Sequence, residues 1–198
     1  MIDVAVLGLL KEQDLHGYEL RKRLGELPGG RTAISFGSLY PALNRLERTG
    51  MVKAVEASTR TDRRVPSSAS LVGELAAFRA RHLPATGGRS KKVYGLTSSG
   101  EAHLVELLTD PQPSDDRTFA LKVAFCRHLT PAQRLELFER RRAELLARVA
   151  ERRRGPERSV DRYLRMLRER DDANLSTDLA WLDRLIADET QQMEKHPS

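Results

Sequence analysis

The chain has 198 residues, 39% of them apolar and 31% charged, which is the composition of a folded protein with one substantial core or a small domain plus a helical extension. No run approaches 18 apolar residues, and the start MIDVAVLGLLKEQD has no basic segment or small-residue cleavage site. We therefore expect no membrane span, no secretory signal and a cytoplasmic location. Of the net charge of +6, residues 1–100 carry +7 and residues 101–198 carry −1, an asymmetry that suits a nucleic-acid-binding half joined to a neutral partner half.

Two short helical patterns open the chain. The first, IDVAVLGLL, is apolar on most faces and is predicted to be buried. The second, HGYELRKRL, has Tyr18, Leu20 and Leu24 as its predicted anchors, and His16 at its start is interpreted as a packed or capping residue. The segment ELPGGRTAIS follows, and its Pro28 and the two glycines after it end the second helix.

A third helix is predicted within ISFGSLYPALNRLERTGMV, residues 34–52. At about 100° of rotation per residue, one narrow sector contains Leu39, Leu43 and Leu46. The opposite side contains Gly37, Pro41, Asn44 and Arg48, flanked by Ser38 and Arg45. Either Ser35 or Ser38 caps this helix, and a start at Ser35 places Pro41 beyond the first turn, where it forfeits a hydrogen bond. Gly50 is expected to end the helix in a left-handed turn.

The segments MVKAVEA and KKVYGL contain β-branched or aromatic residues and are predicted to pair as a hairpin. The connection between them is unusually long, which indicates a function or disorder. Within it, residues 59–89 form an insertion that is rich in Arg, Ser, Pro and Gly at both ends. The centre of the insertion has the apolar spacing of a short helix, at Leu71, Leu75, Phe78 and His82.

From residue 98 onward the pattern is almost wholly helical. We predict helices over residues 98–109, 115–129, 131–154 and 157 to about 192. Thr97 or Ser98 caps the first of them, and Pro131 suits the first turn of the third. An apolar seam in the last helix repeats at about 3.5 residues, which favours packing against a partner helix of the same or another chain. Its members are Val160, Leu164, Leu167, Leu175, Leu179, Leu182 and Ile186.

Three helices followed by a two-stranded hairpin are in the order of a winged helix-turn-helix domain. The stretches AVLGLL, HGYELRKRL, FGSLYPALNRLERTGMV and KKVYGLTSSGEAHL resemble the N-terminal domain of PadR-like transcriptional regulators. The helical remainder, with FALKVAFCRHLTPAQRLELFERRR and DLAWLDRLI, resembles the C-terminal dimerisation domain of the larger members. We therefore expect a mainly α-helical protein, with a winged helix-turn-helix domain over residues 1–97 and a helical domain for dimerisation and effector binding over residues 98–198.

The resemblance implies a homodimeric repressor that binds a near-palindromic DNA operator and releases it when a small molecule reaches the dimer. It places the DNA contacts on the third helix and the wing, at Ser38, Tyr40, Pro41, Asn44, Arg45, Lys91 and Lys92. The insertion over residues 59–89 departs from the short wing tip of most members.

The side chains of the third helix suit different contacts with DNA. Asn44 can pair with adenine, and Arg45 can bond guanine or a phosphate. Arg48, one turn later, suits a phosphate, because the end of a recognition helix rises from the groove. Tyr40 either packs its ring or reaches a phosphate with its hydroxyl, and Ser38 either caps the backbone or donates to a phosphate. A solvated helix face is the alternative for the whole set.

The wing adds further cations. Lys91 and Lys92 are neighbours on a strand and project to opposite faces, so one of them is expected to face the duplex. The arginines that flank the insertion either extend the phosphate contacts or are simply solvated; they are Arg60, Arg63, Arg64 and Arg89.

Outside these elements the sequence offers few candidate residues for binding a ligand or a metal or for catalysis. Trp181 is a candidate for the wall of an effector pocket, because indole stacks well on flat ligands, with ordinary packing as the alternative. The histidines lack the paired spacing of a zinc site, so we expect no metal and no cofactor. The lone Cys126 is interpreted as a packed apolar residue. Nucleotide-binding and hydrolase motifs are absent, so an enzyme is not expected.

Two other functions stay open from the sequence. One is a DNA-packaging protein that binds without sequence preference, and the other is a protein-interaction adaptor whose winged helix has lost DNA binding. The basic first half argues against the adaptor, and the polar outer face of the third helix argues against the packaging protein.

Overall fold

The computed structural model describes residues 1–27, 36–56, 92–154 and 161–195. The N-terminal elements are α1 (Ile2–Glu12), β1 (Leu15–His16), α2 (Gly17–Glu26), α3 (Phe36–Arg48), β2 (Val52–Glu56) and β3 (Lys92–Leu96). The C-terminal elements are α4 (Ser98–Thr109), α5 (Asp116–Phe125), a 3₁₀ turn (Cys126–His128), α6 (Pro131–Arg154) and α7 (Arg162–Lys195). This order confirms the prediction of a mainly helical protein that starts with a winged helix-turn-helix.

Helix α1 lies at the centre of the N-terminal core, and α2 packs against it. Every residue of α1 from Val4 to Leu10 is buried, as its apolar sequence predicts. Helix α2 buries Leu20 and Leu24, but the prediction that Tyr18 anchors it is wrong, because this side chain is 72% exposed. Residues two apart in a helix lie roughly 200° apart around its axis, so Tyr18 and Leu20 do not share a face.

Helix α3 presents its leucine stripe to this core, as predicted. The exposed fractions of the three leucines are 1% for Leu39, 0% for Leu43 and 2% for Leu46. The helix begins at Phe36, so Ser38 is not its N-cap, and Pro41 lies inside the helix without an N–H to donate. Ser35, the other predicted cap, lies outside the described residues. Gly50 has a φ of +74° and ends the helix with the expected left-handed turn.

The predicted hairpin is confirmed, and a third strand joins it. Antiparallel β2 and β3 pair with Val52 opposite Leu96. On the other side of β3, Leu15 of β1 pairs with Tyr94, which gives the strand order β1-β3-β2. Strand β1 has no signal in the sequence, because two residues are too few to show an alternating pattern. The helix predicted within residues 71–82 lies outside the described residues.

The C-terminal helices begin and end close to their predicted positions. The helix over residues 98–109 is confirmed as α4, and its N-cap is Thr97, whose side chain accepts a hydrogen bond from the Gly100 N–H at 3.1 Å. Ser98, the other predicted cap, is already helical. The helix predicted over residues 115–129 divides into α5 and the 3₁₀ turn, while α6 has its predicted bounds.

Helices α6 and α7 form an antiparallel pair of unequal length. Arg134 donates to the Glu189 carboxylate at 2.8 Å near one end, and Arg152 donates to Asp172 at 3.0 Å near the other. Helix α6 has 24 residues and α7 has 34, so α7 is longer by about 15 Å. It extends past the end of α6, and every residue from 161 to 174 is exposed. None of the described helices has a stretch long and apolar enough to cross a membrane.

Helix α1 also contacts the C-terminal helices. The ring of Phe125 in α5 lies directly against Gly8, where an added Cβ would come within 2.5–2.7 Å of three ring carbons. The ion pairs at the end of α1 are Lys11 with Glu101, at 2.8 Å, and Glu12 with Arg127. Helix α1 is therefore held between α3 on one side and α4 and α5 on the other.

Replacing Gly8 by Ala is expected to lower the free energy of unfolding by about 1–3 kcal/mol, because the new methyl group displaces the Phe125 ring. Gly25→Ala is the matched control, since no atom lies within 4 Å of its added Cβ and Ala favours the helix at this position in α2. Urea unfolding measures both effects. Equal stability of the Gly8→Ala variant and the unaltered protein would contradict the close contact between α1 and α5.

Candidate nucleic-acid interface

The outward side of α3 is polar and open, because its leucine stripe faces the core. Pro41, Asn44 and Arg48 are exposed on the side opposite the fully buried Leu43. Within the described ranges, the side chains of Asn44 and Arg48 have no hydrogen-bond or ion-pair partner. One amide and one guanidinium group on this face are therefore available to bind another molecule.

Arg45 and Lys92 differ from these residues, since each is paired with a carboxylate at one flank of α3. The Arg45 Nη2 donates to the Asp3 Oδ1 at 2.5 Å, which ties α3 to the first turn of α1. On the other flank, the Lys92 Nζ of β3 donates to the Glu47 Oε1 at 3.4 Å. Such partly exposed pairs contribute about 0–1 kcal/mol to stability, so neither cation is locked away from a ligand.

Tyr40 lies on the surface with one edge of its ring against the protein. Its side chain is 53% exposed, so the ring is not part of the core. The rings of Tyr40 and Tyr94 both come within 3.6 Å of the position that a Cβ on Gly17 would occupy. Burial raises the pKa of Tyr94, the inner member of this group. Ser38, near the start of α3, is half-buried.

The wing contributes two exposed lysines among the described residues. Lys92 on β3 is one of the two lysines predicted from the sequence, whereas Lys53 on β2 is not among the predicted contacts. In the sequence, apolar Val52 is followed by charged Lys53, and this alternation along a strand is a signal that could have identified Lys53 as exposed. The other predicted wing cations lie outside the described residues; they are Lys91, Arg60, Arg63, Arg64 and Arg89.

Trp181 lies on α7, away from α3. Its indole is 36% exposed and meets the Phe119 ring of α5 edge-on, with the ring centroids 6.3 Å apart and the planes at 85°. The guanidinium carbon of buried Arg141 lies 5.0 Å from the centroid of the same Phe119 ring. Trp181 is thus partly packed and partly open, and it belongs to the junction of α5, α6 and α7.

The described residues offer little for catalysis. They contain no group of three His, Cys, Asp or Glu side chains that could hold a metal ion. Cys126 is half-buried, and burial raises the pKa of its thiol, which disfavours the reactive thiolate. His16 stands at the N-cap of α2, where its backbone N–H donates to the Glu19 Oε2 at 3.0 Å.

The family model of the PadR-like transcriptional regulators matches residues 6–65. This range includes most of α1 and the whole of α2, α3 and β2. It therefore contains the polar face of α3 and Lys53 of the wing, but not Lys92 of β3. Members of this family are transcriptional regulators and not enzymes, in line with the expectation from the sequence. No curated protein sequence matches the chain.

Several solved structures resemble the chain at low sequence identity. Bacillus subtilis PadR in complex with operator DNA is 20% identical, with 95% of this chain and 98% of that chain covered and a TM-score of 0.40. The same protein in complex with p-coumaric acid is 20% identical, with 98% and 97% covered and a TM-score of 0.37. A PadR-like transcriptional regulator from Bacillus cereus is 18% identical, with 98% and 96% covered and a TM-score of 0.35. Because these TM-scores are low, the likeness to PadR-like regulators rests on the match to the family model. Over residues 6–65, the chain is thus similar to the PadR-like transcriptional regulators.

Proposed function

We propose that the protein is a homodimeric, ligand-responsive repressor that binds a near-palindromic operator. In this proposal α3 enters the major groove, β2 and β3 lie beside the sugar-phosphate backbone, and α7 joins the two subunits. The observation that carries the proposal is the open polar face of α3. There Asn44 and Arg48, which have no partner within the described residues, lie opposite the fully buried Leu43.

The size and chemistry of α3 suit the major groove. With 13 residues the helix is about 20 Å long, and only one of its faces is polar. The Asn44 amide matches adenine, which offers a donor and an acceptor side by side in that groove. Pro41 offers only apolar contact, which suits a thymine methyl group, and Arg48 at the end of the helix suits a phosphate.

The part of α7 that extends past α6 supports the homodimer. Its large apolar side chains are exposed to 71% at Tyr163, 52% at Leu164, 54% at Met166 and 52% at Leu167. Leu164 is in line with the buried Leu175 and Leu182, so one apolar stripe is packed at one end of α7 and uncovered at the other. A second copy would cover it, because a two-fold interface needs only one self-complementary patch. Val160, the first member of the predicted seam, lies outside the described residues.

A two-fold dimer presents two copies of α3 to DNA. The proposed operator is therefore an inverted repeat whose half-sites are separated by about one turn of DNA, roughly 10 bp, or a multiple of it.

We place the proposed effector contact at Trp181. A flat ligand can stack on the exposed part of the indole, and it would then disturb the edge-on contact with Phe119 of α5. Helix α5 packs on α1 through Phe125 and Gly8, and α1 packs on α3. A ligand at Trp181 therefore acts on elements that support the DNA-binding face.

Asn44→Ala is expected to weaken operator binding by about 1–3 kcal/mol and to lower sequence preference, because its amide reads a base. Arg48→Ala should weaken operator and random duplex alike and reduce the salt slope of binding by about 1. Anisotropy titrations at several salt concentrations, against duplexes that the unaltered protein enriches from a random pool, measure both effects. Since both side chains are exposed, the free energy of unfolding should change by less than about 0.5 kcal/mol.

Arg184→Ala is the control for these titrations, because Arg184 is an exposed cation on α7, and binding should stay unchanged. Failure to enrich any sequence, with random duplex still bound, would instead identify a packaging protein. No binding of duplex even at low salt would favour the protein-interaction adaptor.

The double substitution Leu164→Glu and Leu167→Glu is expected to convert the dimer to a monomer, because charges replace apolar side chains in the proposed interface. Arg165→Glu is the matched control, since this residue lies on the opposite side of α7 and is already polar. Sedimentation velocity gives the mass of each species. A dimer that persists in the double variant would exclude this stripe as the interface.

Trp181 is the only tryptophan of the chain, so its fluorescence reports on this site alone. In a panel of flat aromatic carboxylic acids and amines, with p-coumaric acid among the probes, at least one compound is expected to quench the emission and to weaken operator binding. The quenching and the loss of operator binding should have their midpoints at the same concentration of the compound. A compound that releases DNA without changing the emission of Trp181 would place the effector site elsewhere.

A further inference from the structure

We propose that Asp3 is a positioning residue for Arg45 and thereby determines which base Arg45 reads. The inference rests on the proposed function, because it requires that Arg45 faces DNA. Its basis is the contact between the Arg45 Nη2 and the Asp3 Oδ1 at 2.5 Å, which joins residues 42 positions apart in the chain.

Asp3 is held in a defined place. It lies in the first turn of α1, whose next seven residues are all buried, so its backbone moves only with the core. The start of a helix also favours a negative charge, because the free N–H groups of the first turn point toward it. The side chain of Asp3 is only 26% exposed, whereas that of Arg45 is 49% exposed. The carboxylate is therefore the fixed partner, and it restrains the more exposed guanidinium.

The contact leaves most of the guanidinium free for a ligand. An arginine side chain has five N–H donors in one plane, and a single hydrogen bond to Asp3 occupies one of them. Reading a guanine requires two further donors, directed at the O6 and N7 atoms of the base. A guanidinium that is already held by one nitrogen loses less side-chain freedom when it makes those two bonds.

The same carboxylate discourages an alternative contact. A phosphate oxygen beside Arg45 would also lie close to the negative charge of Asp3, and like charges repel. Arg48 has no carboxylate partner in the described part of the chain, so a phosphate can approach it without this penalty. The pairing thus gives the two arginines of α3 different roles. Arg45 is directed to a base, and Arg48 can bind the sugar-phosphate backbone of the DNA.

Four variants test the assignment: Asp3→Asn, Arg45→Ala, the double variant, and Glu101→Gln. The last is the matched control, because Glu101 forms an exposed ion pair with Lys11 at the other end of α1. Affinities are measured for duplexes that the unaltered protein enriches from a random pool and for random duplex. Each protein is also used to enrich sequences itself, which gives its base preference at every position of the half-site.

Asp3→Asn is expected to lower the ratio of selected to random affinity by about threefold to tenfold and to relax the preference at one position of each half-site. Arg45→Ala should relax the same position, and Asp3→Asn should have no further effect on the ratio in that background. Glu101→Gln should change neither. A merely structural role of Asp3 would lower stability without relaxing one particular base.

Besides an unchanged ratio in Asp3→Asn, two further results would overturn the assignment. In the first, Asp3→Asn raises the affinity for both duplexes equally, which would mean that Asp3 only competes with DNA for Arg45. In the second, its effect is undiminished in the Arg45→Ala background. If Asp3→Asn does not fold, Arg45→Lys replaces it, since lysine keeps the charge without the planar donors. A ratio of selected to random affinity equal to that of the unaltered protein would then also overturn the assignment.

Failure of this inference is distinguishable from failure of the proposed function. If the unaltered protein enriches no sequence, or if Asn44→Ala, Arg45→Ala and Arg48→Ala all leave binding unchanged, α3 does not read DNA. If those variants weaken binding while Asp3→Asn leaves the ratio intact, only the role of Asp3 is rejected.

Discussion

The packing of the leucine stripe of α3 against the core that contains α1 is the interaction on which the rest of the structure depends. Burying one leucine side chain stabilises a protein by roughly 1.5–3 kcal/mol, and Leu39, Leu43 and Leu46 are each at most 2% exposed. Half a turn of α3 about its axis would expose all three and bury Arg48 without a partner, which is strongly unfavourable. Apolar packing, and not the charges on the outer face, therefore decides which side chains α3 presents to solvent.

Helix α1 connects α3 with the C-terminal helices. It is buried from Val4 to Leu10, and it contacts α3, α4 and α5. The ring of Phe125 fits against Gly8 with no room for even one more carbon atom. Because protein interiors are close-packed, a shift of α5 in this contact is passed on to α1 and is not absorbed by empty space. Helix α1 thus connects the polar face of α3 with α5, whose Phe119 contacts Trp181.

Charge on the candidate interface is organised by pairing as much as by composition. The first half of the chain is basic, but two of its cations at the flanks of α3 are bound to Asp3 and Glu47. The middle of the face, with Asn44 and Arg48, has no such partner among the described residues. Net charge alone would have counted Arg45, Arg48 and Lys92 as equal. Their neighbours make them different, because a carboxylate both restrains a cation and repels a phosphate.

The sequence by itself determined the features that follow from a repeating pattern. A helix buried on one side leaves a period of 3.6 residues, which identified the leucine stripe of α3, the open side with Asn44 and Arg48, and the bounds of α6. The same geometry excludes Tyr18 as an anchor, because it does not share a face with Leu20. Alternation and flanking turns identified the pairing of β2 with β3.

Only the tertiary structure decided which groups meet across the chain. The pairs of Arg45 with Asp3 and of Lys92 with Glu47 join residues 42 and 45 positions apart, and β1 exists only because β3 lies beside it. The uncovered stripe of α7 likewise depends on where α6 ends in space. No local pattern contains these relations, because each is a distance between segments whose separation in the chain says nothing about their separation in the fold.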